Sequence, residues 1–189
     1  LEGEAARAEG DTVVAGEVLI SGNVKLELNR LNFQELIQQT NGEFSEKFEN
    51  KGLKLVVDMP EEPVVIVADG RRLWRVIENL YNNTAKYAMP NTRVYVELTT
   101  VGHMVRFSIK NISEQPLNIN ADELTERFIR GDVARSTEGS GLGLSIARKL
   151  TELQKGSFNI YLDGDLFKAT IIFPEAEEKT NRDKSERLV

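Results

Sequence analysis

The sequence predicts an α+β fold in which amphipathic helices and β-hairpins alternate within one domain. Two long segments have apolar residues every three or four positions, which is typical of helices that bury one face. Two further regions alternate apolar and polar residues on either side of a tight turn, which is typical of hairpins. A chain of 189 residues fits one such domain plus tails.

Composition excludes several classes of function. The chain has 24 Lys and Arg against 30 Asp and Glu, and this net charge of −6 argues against a dedicated nucleic-acid binder. The longest apolar run, Val64–Ala68, is far shorter than the roughly 20 residues of a membrane-spanning helix. There is no cysteine to act as nucleophile or zinc ligand. The one histidine, His103, lies beside Gly102 and is expected in an exposed turn.

The predicted domain covers residues 23–174, with a tail or linker at 1–22 and a charged, disordered tail at 175–189. Asn32 and Glu35 form a capping-box pattern that opens the first helix, and Asp69 can cap the second. The predicted segments are a helix of about 17 residues from 33, a strand pair at 53–58 and 64–68, a helix from 70 to about 88, a hairpin at 93–100 and 104–110, a short helix at 122–128, a polar loop at 131–140, a helix at 142–153 and a hairpin at 157–162 and 167–173.

A polar face on the second helix carries the first chemical signal. Asn79, Asn83 and Lys86 are spaced four and three residues apart, so they share one face, and Tyr87 follows directly. An amide oxygen is a neutral ligand for Mg²⁺, which usually takes one or two protein oxygens together with phosphate and water oxygens. The lysine would add positive charge for a phosphate. A plain solvated helix face is the alternative interpretation.

A glycine-rich segment before the third helix carries the second signal. Glycines let backbone N–H groups approach phosphate oxygens, and a helix N-terminus favours anions. Arg130 and Arg135, in the preceding loop, are able to meet phosphate. The segment is neither a Rossmann fingerprint, which directly follows a strand, nor a Walker A loop, which ends in Gly-Lys-Ser/Thr. Its candidate phosphate-binding residues are Gly139, Ser140, Gly141, Leu142 and Gly143.

Three motifs in order resemble the catalytic and ATP-binding domain of bacterial sensor histidine kinases, in the GHKL superfamily. The run NLYNNTAKY at 79–87 resembles the N box, RFIRGD at 127–132 the F box, and EGSGLGL at 138–144 the G2 box. The resemblance implies the Bergerat fold, a two-layer α/β sandwich in which a mixed sheet of about five strands packs against three long helices, with an ATP lid. It also implies ATP and Mg²⁺ as cofactors and protein-histidine kinase activity.

The resemblance implies a role for each matching residue. Asn83 would bind Mg²⁺, and Asn79 would lie near the phosphates. Lys86 and Tyr87 would reach phosphate and adenosine groups, and the glycine-rich segment would cradle the phosphates. The residues implied in catalysis are Asn79, Lys86, Arg130 and Arg135, the two arginines as lid cations.

One motif departs from the family. The strand at 104–110 should lead into an Asp-x-Gly-x-Gly box, the G1 box, whose Asp accepts a hydrogen bond from the adenine amino group. The sequence instead reads Asn111-Ile112-Ser113. The amide oxygen of Asn111 can still accept this bond, but without the charge that roughly doubles its strength. A degenerate docking module or pseudokinase is therefore one alternative function.

The residue four positions before the implied Mg²⁺ ligand helps to separate a histidine kinase from an ATPase or serine kinase of the same fold. ATPases and serine kinases of this fold usually carry a Glu there to activate water or a hydroxyl, whereas this chain has Asn79. Glu78 is adjacent but points about 100° away around the helix. A histidine nitrogen needs no strong general base, so a histidine kinase is favoured over a GHKL-type ATPase or serine kinase.

The expected partners follow from the same resemblance. The phosphoacceptor would be a His on a dimerisation domain that this sequence lacks, and a response regulator would receive the phosphoryl group next. The domain itself is expected to be a cytoplasmic monomer that contacts neither nucleic acid nor membrane, within a parent protein anchored in the bacterial membrane.

Overall fold

A computed structural model describes residues 4–5, 20–21, 25–117 and 143–177 of the protein. The predicted short helix at 122–128, the loop at 131–140 and nearly all of the C-terminal tail lie outside these residues. The elements are β1 Glu4–Ala5, β2 Ile20–Ser21, β3 Asn29–Asn32, α1 Phe33–Asn50, β4 Lys54–Asp58, β5 Val65–Ala68, α2 Gly70–Tyr87, β6 Arg93–Val101, β7 Met104–Ile112, α3 Gly143–Leu153, β8 Ser157–Asp163 and β9 Leu166–Pro174.

A mixed sheet of five strands forms one layer, in the order β4-β6-β7-β9-β8. The β4–β6 pair is parallel and the other three pairs are antiparallel. Both predicted hairpins are confirmed, and each turns at a glycine with positive φ, Gly102 at 62° and Gly164 at 55°. His103 is exposed in the first of these turns, as the sequence predicts.

Both strands predicted between the first two helices are confirmed, but the prediction that they form a pair is wrong. β5 pairs antiparallel with β3, which places Leu31 opposite Ile66, and β4 instead joins the sheet beside β6. Residues 29–32 contain one apolar side chain, so they show no alternation that would predict a strand. They extend because their backbone pairs with β5, a contact between segments more than 30 residues apart.

The helices form the second layer, and local sequence signals are clearest for α1 and α2. The side chain of Asn32 caps α1 by accepting from the Gln34 N–H at 3.1 Å, and Asn32 also donates to Glu35 at 3.0 Å. On α2, the predicted core residues Leu73, Val76, Ile77 and Leu80 are all fully buried. α2 packs on α3 along one side and on α1 along the other, where the Phe48 and Tyr81 rings stack 5.8 Å apart. Within the described residues, no helix is long and apolar enough to cross a membrane.

Candidate functional site

The predicted polar residues of α2 lie along its middle and C-terminal turns. Asn79 and Asn83 are half-buried, while Lys86 and Tyr87 are exposed. The same helix buries Leu80 and Thr84 on its other side. This split arises because residues four apart fall on one face of a helix, so the apolar set faces the core and the amides face outward.

Asn79 contacts the start of α3, which joins the two motifs found in the sequence. Its side-chain nitrogen donates to the Arg75 carbonyl at 2.7 Å. A Cβ added to Gly143 would lie 3.1 Å from the Asn79 side-chain oxygen, so the absence of a side chain at Gly143 allows this approach. Residues 79 and 143 therefore meet at one place although 63 residues separate them in the chain. The described contact gives Gly143 a packing role that the sequence pattern does not predict.

Asn83 is the residue that the family resemblance implies as the Mg²⁺ ligand. Its half-buried side chain makes no hydrogen bond to any described residue. An unpaired amide oxygen fits Mg²⁺, which accepts one or two protein oxygens when phosphate oxygens and waters complete the shell. Across residues 25–117 and 143–177, no cluster of three or more acidic or histidine side chains could hold a metal by itself. An ion at Asn83 would therefore depend on the oxygens of a nucleotide.

The C-terminal end of α2 is held to neighbouring elements by a group of hydrogen bonds. The Lys86 carbonyl accepts from the Lys51 ammonium at 2.8 Å, and the Tyr87 carbonyl accepts from the Glu114 N–H at 2.8 Å. Lys51 also pairs with the Glu114 carboxylate at 3.6 Å. The Lys86 ammonium itself lies 5.1 Å from the centre of the Tyr87 ring. Lys51 comes from the end of α1, so no motif in the sequence connects it with this site.

Asn111 lies at the end of β7, facing the helices, and is 3% exposed. Its side-chain oxygen accepts from the Thr84 hydroxyl at 3.4 Å, and its side-chain nitrogen donates to the Ile112 carbonyl at 3.1 Å. Thr84 directly follows Asn83 in α2 and is fully buried. The structure thus connects the predicted metal ligand and the predicted base-binding residue through adjacent positions of one helix. Sequence reasoning missed Thr84 because its spacing is that of a core residue.

Six predicted site residues lie outside the described residues and stay predictions. They are Arg130, Arg135, Gly139, Ser140, Gly141 and Leu142.

A separate cleft of about 790 Å³ lies at the N-terminal end of α2 and is lined by none of the candidate nucleotide-binding residues. Its wall includes Trp74, whose indole nitrogen is buried without a partner among the described residues. Asp69 caps α2 there. Burial alone would raise the pKa of this carboxyl, but hydrogen bonds from the Glu27 and Arg72 N–H groups and the Arg72 guanidinium hold that pKa below its usual value. Asp69 therefore stabilises the start of α2 as a carboxylate.

The chain is an α+β domain in which α2 presents a polar face beside the start of α3. The family model described as "Histidine kinase-, DNA gyrase B-, and HSP90-like ATPase" matches residues 68–183. This match covers more than half of the chain, which therefore belongs to that ATPase family, with ATP as its nucleotide.

Relatives and solved structures agree with this assignment. The chain is 36% identical over 107 residues to the "Probable sensor histidine kinase TcrY" of Mycobacterium tuberculosis, which is 55% of this chain and 22% of the relative. It is 26% identical over 151 residues to "Sensor histidine kinase CusS" of Escherichia coli O157:H7, which is 79% of this chain and 31% of that relative. The nucleotide-free catalytic domain of histidine kinase ThkA superposes with a TM-score of 0.68 at 25% identity, over 79% of this chain and 96% of that one. The chain is thus similar to the ATPase domains of sensor histidine kinases and spans less than a third of these two curated relatives.

Proposed function

We propose that this domain binds Mg·ATP and transfers the γ-phosphoryl group to a histidine on a separate dimerisation domain, as part of a two-component sensor kinase. The observation that carries the proposal is the contact of Asn79 with Gly143, which brings the amide face of α2 and the glycine-rich motif to one place. Support for histidine as the acceptor comes from the relatives, which are sensor histidine kinases by name.

The proposed chemistry is positioning and charge neutralisation. Bound Mg²⁺ would neutralise phosphate charge, with the Asn83 oxygen as its protein ligand. Lys86, exposed at the end of α2, would add a second positive charge, and Tyr87 would contact the nucleoside. Asn111 would accept a hydrogen bond from the adenine amino group. The lid arginines at 130 and 135 and the segment 139–142 would complete the phosphate site.

Asn79 favours phosphoryl transfer to histidine over hydrolysis. A neutral amide cannot take a proton from water, and its nitrogen already donates to the Arg75 carbonyl. A histidine acceptor attacks with a lone pair that it already has, so the reaction needs no strong base at this position.

The proposed partners follow from the same assignment. One solved structure similar to this chain is histidine kinase ThkA "in complex with response regulator protein TrrA", at a TM-score of 0.65 and 26% identity, over 82% of this chain and 44% of that one. We therefore expect a response regulator to be the eventual phosphoryl acceptor. The domain would work in the cytoplasm within a membrane-anchored parent.

Calorimetric titration of ATP with and without Mg²⁺ tests the nucleotide site. We expect micromolar-range binding that depends on Mg²⁺ and weakens about tenfold or more in Asn83→Ala, because the metal loses its protein ligand. Asn82→Ala is the matched control, since its oxygen accepts from the Lys47 ammonium at 2.7 Å on another side of α2. Equal losses in both variants would contradict the assignment of Asn83.

ATP hydrolysis separates the kinase from the ATPase alternative. The domain alone should hydrolyse ATP very slowly, because the Asn79 amide cannot take a proton from water and so cannot activate it for attack. Fast turnover that Asn83→Ala abolishes would favour the ATPase alternative instead. Failure to bind nucleotide at millimolar concentration would favour a docking module.

A further inference from the structure

The Thr84 hydroxyl is placed differently from the other buried threonine hydroxyls of the helices. Thr40, Thr84 and Thr151 are all fully buried. Thr40 and Thr151 donate to the carbonyl four residues earlier in their own helix, at 2.9 and 2.8 Å. Thr84 instead donates out of its helix to the side chain of Asn111, 27 residues further along the chain. A threonine in a helix usually satisfies its hydroxyl locally, so this long-range bond needs another explanation.

The second bond of Asn111 fixes which way its amide points. The Ile112 carbonyl can only accept, so the atom next to it at 3.1 Å must be the amide nitrogen. The oxygen therefore lies on the other side, where it receives the Thr84 hydroxyl. With these two anchors the amide plane is held at both ends. The oxygen keeps a second lone pair, because a carbonyl oxygen can accept two hydrogen bonds.

We infer that Thr84 is a positioning residue for base recognition. It holds the Asn111 oxygen as an acceptor for the 6-amino group of a purine, so that this domain discriminates 6-amino from 6-oxo purine nucleotides. The inference rests on the proposed function, in which Asn111 meets the base. An asparagine could otherwise present either its oxygen or its nitrogen to a ligand, and only the oxygen can accept a hydrogen bond from the 6-amino group.

A 6-oxo purine would meet the wrong group at this place. Hypoxanthine has an oxygen where adenine has its amino group, so two acceptors would face each other across the Asn111 contact. Loss of one hydrogen bond between neutral groups corresponds to about a tenfold change in affinity. Without the Thr84 hydroxyl, one anchor is lost, the amide can rotate about its last torsion, and the oxygen no longer points steadily at the base.

The test is a pair of titrations, ATP and ITP with Mg²⁺, whose affinity ratio isolates the 6-amino contact. Wild type should favour ATP by about tenfold. Thr84→Val keeps the shape of the side chain but removes the hydroxyl. It should lower the preference for ATP over ITP to about threefold or less, mainly because ATP binds less tightly. Thr84→Ser restores the hydroxyl and should restore most of the ratio. Thr40→Val is the matched control, since it removes an equally buried hydroxyl and should leave the ratio unchanged.

Distinct outcomes separate this inference from the proposed function. The positioning role of Thr84 would be overturned if Thr84→Val left the ratio of ATP to ITP affinity at its wild-type value. It would also be overturned if this variant lowered both affinities equally. Neither result would contradict the nucleotide site itself. Binding of neither nucleotide to wild type would overturn the proposed function and this inference with it. In an Asn111→Ala background, Thr84→Val should no longer alter the ratio, and a further change there would show that Thr84 acts through another group.

Discussion

Replacing Gly143 by alanine tests whether the glycine-rich motif and the polar face of α2 act as one site. The added Cβ would lie 3.1 Å from the Asn79 oxygen, which is tighter than nine in ten real Cβ contacts. Asn79 would therefore have to shift by a few tenths of an ångström. Its nitrogen is bound to the Arg75 carbonyl at 2.7 Å, so the shift strains that hydrogen bond.

Two effects of opposite sign determine the stability of Gly143→Ala. Alanine is favoured over glycine within a helix by up to about 1 kcal/mol. A lost hydrogen bond costs about 0.5–1.5 kcal/mol. We therefore expect a free energy of unfolding within about 1 kcal/mol of wild type. The ATP affinity should still fall severalfold, because the displaced Asn79 amide borders the phosphates in the proposed site.

A double-mutant cycle with Asn79→Ala gives the sharper result. With the Asn79 side chain cut back, the clash disappears, so Gly143→Ala should stabilise the protein in that background. The two substitutions should therefore couple by at least about 0.5 kcal/mol in urea unfolding. Gly42→Ala is the control, since nothing lies within 4 Å of a Cβ at this position inside α1 and it should simply stabilise. Additive stabilities, together with unchanged ATP affinity in Gly143→Ala, would refute the contact's role.

Two further substitutions test the side chains that hydrogen-bond to the two ends of α2. Asp69→Ala should lower the free energy of unfolding at pH 7 by about 1 kcal/mol, because alanine cannot accept the capping hydrogen bond from the Arg72 N–H. The folded pKa of Asp69 is lowered, so the stability that its charge contributes is complete above the unfolded pKa near 4 and is lost as pH falls below that value. The difference in unfolding free energy between wild type and the variant should therefore narrow below about pH 4. A constant difference in urea midpoints would contradict this. Lys51→Met should lower the free energy of unfolding by up to about 1 kcal/mol and lower the affinity for ATP severalfold, because the end of α2 loses the hydrogen bond that the Lys86 carbonyl accepts from Lys51. Lys47→Met, which removes another α1 ammonium, should spare ATP affinity in the same titration.

Much of the fold was predictable because its signals are local. The capping pattern at Asn32, the apolar stripe of α2 and the alternation in the two hairpins each depend on residues within one turn or one strand. The polar face with Asn79 and Asn83 was predictable for the same reason, since a helix places residues four apart on one side. The order of the motifs was sufficient to indicate the ATPase family that the family model then established.

The sequence by itself determined the three described helices, most of the strands and the side chains that they offer, whereas the tertiary structure decided what each side chain meets and made a strand of residues 29–32. The pairing of β5 with β3 and the parallel entry of β4 beside β6 depend on backbone groups of distant segments, which carry no periodic signal. The contact between Asn79 and Gly143 and the bond from Thr84 to Asn111 have the same origin. Periodicity shows that a position faces inward, but the group across from it is set only when the layers pack together.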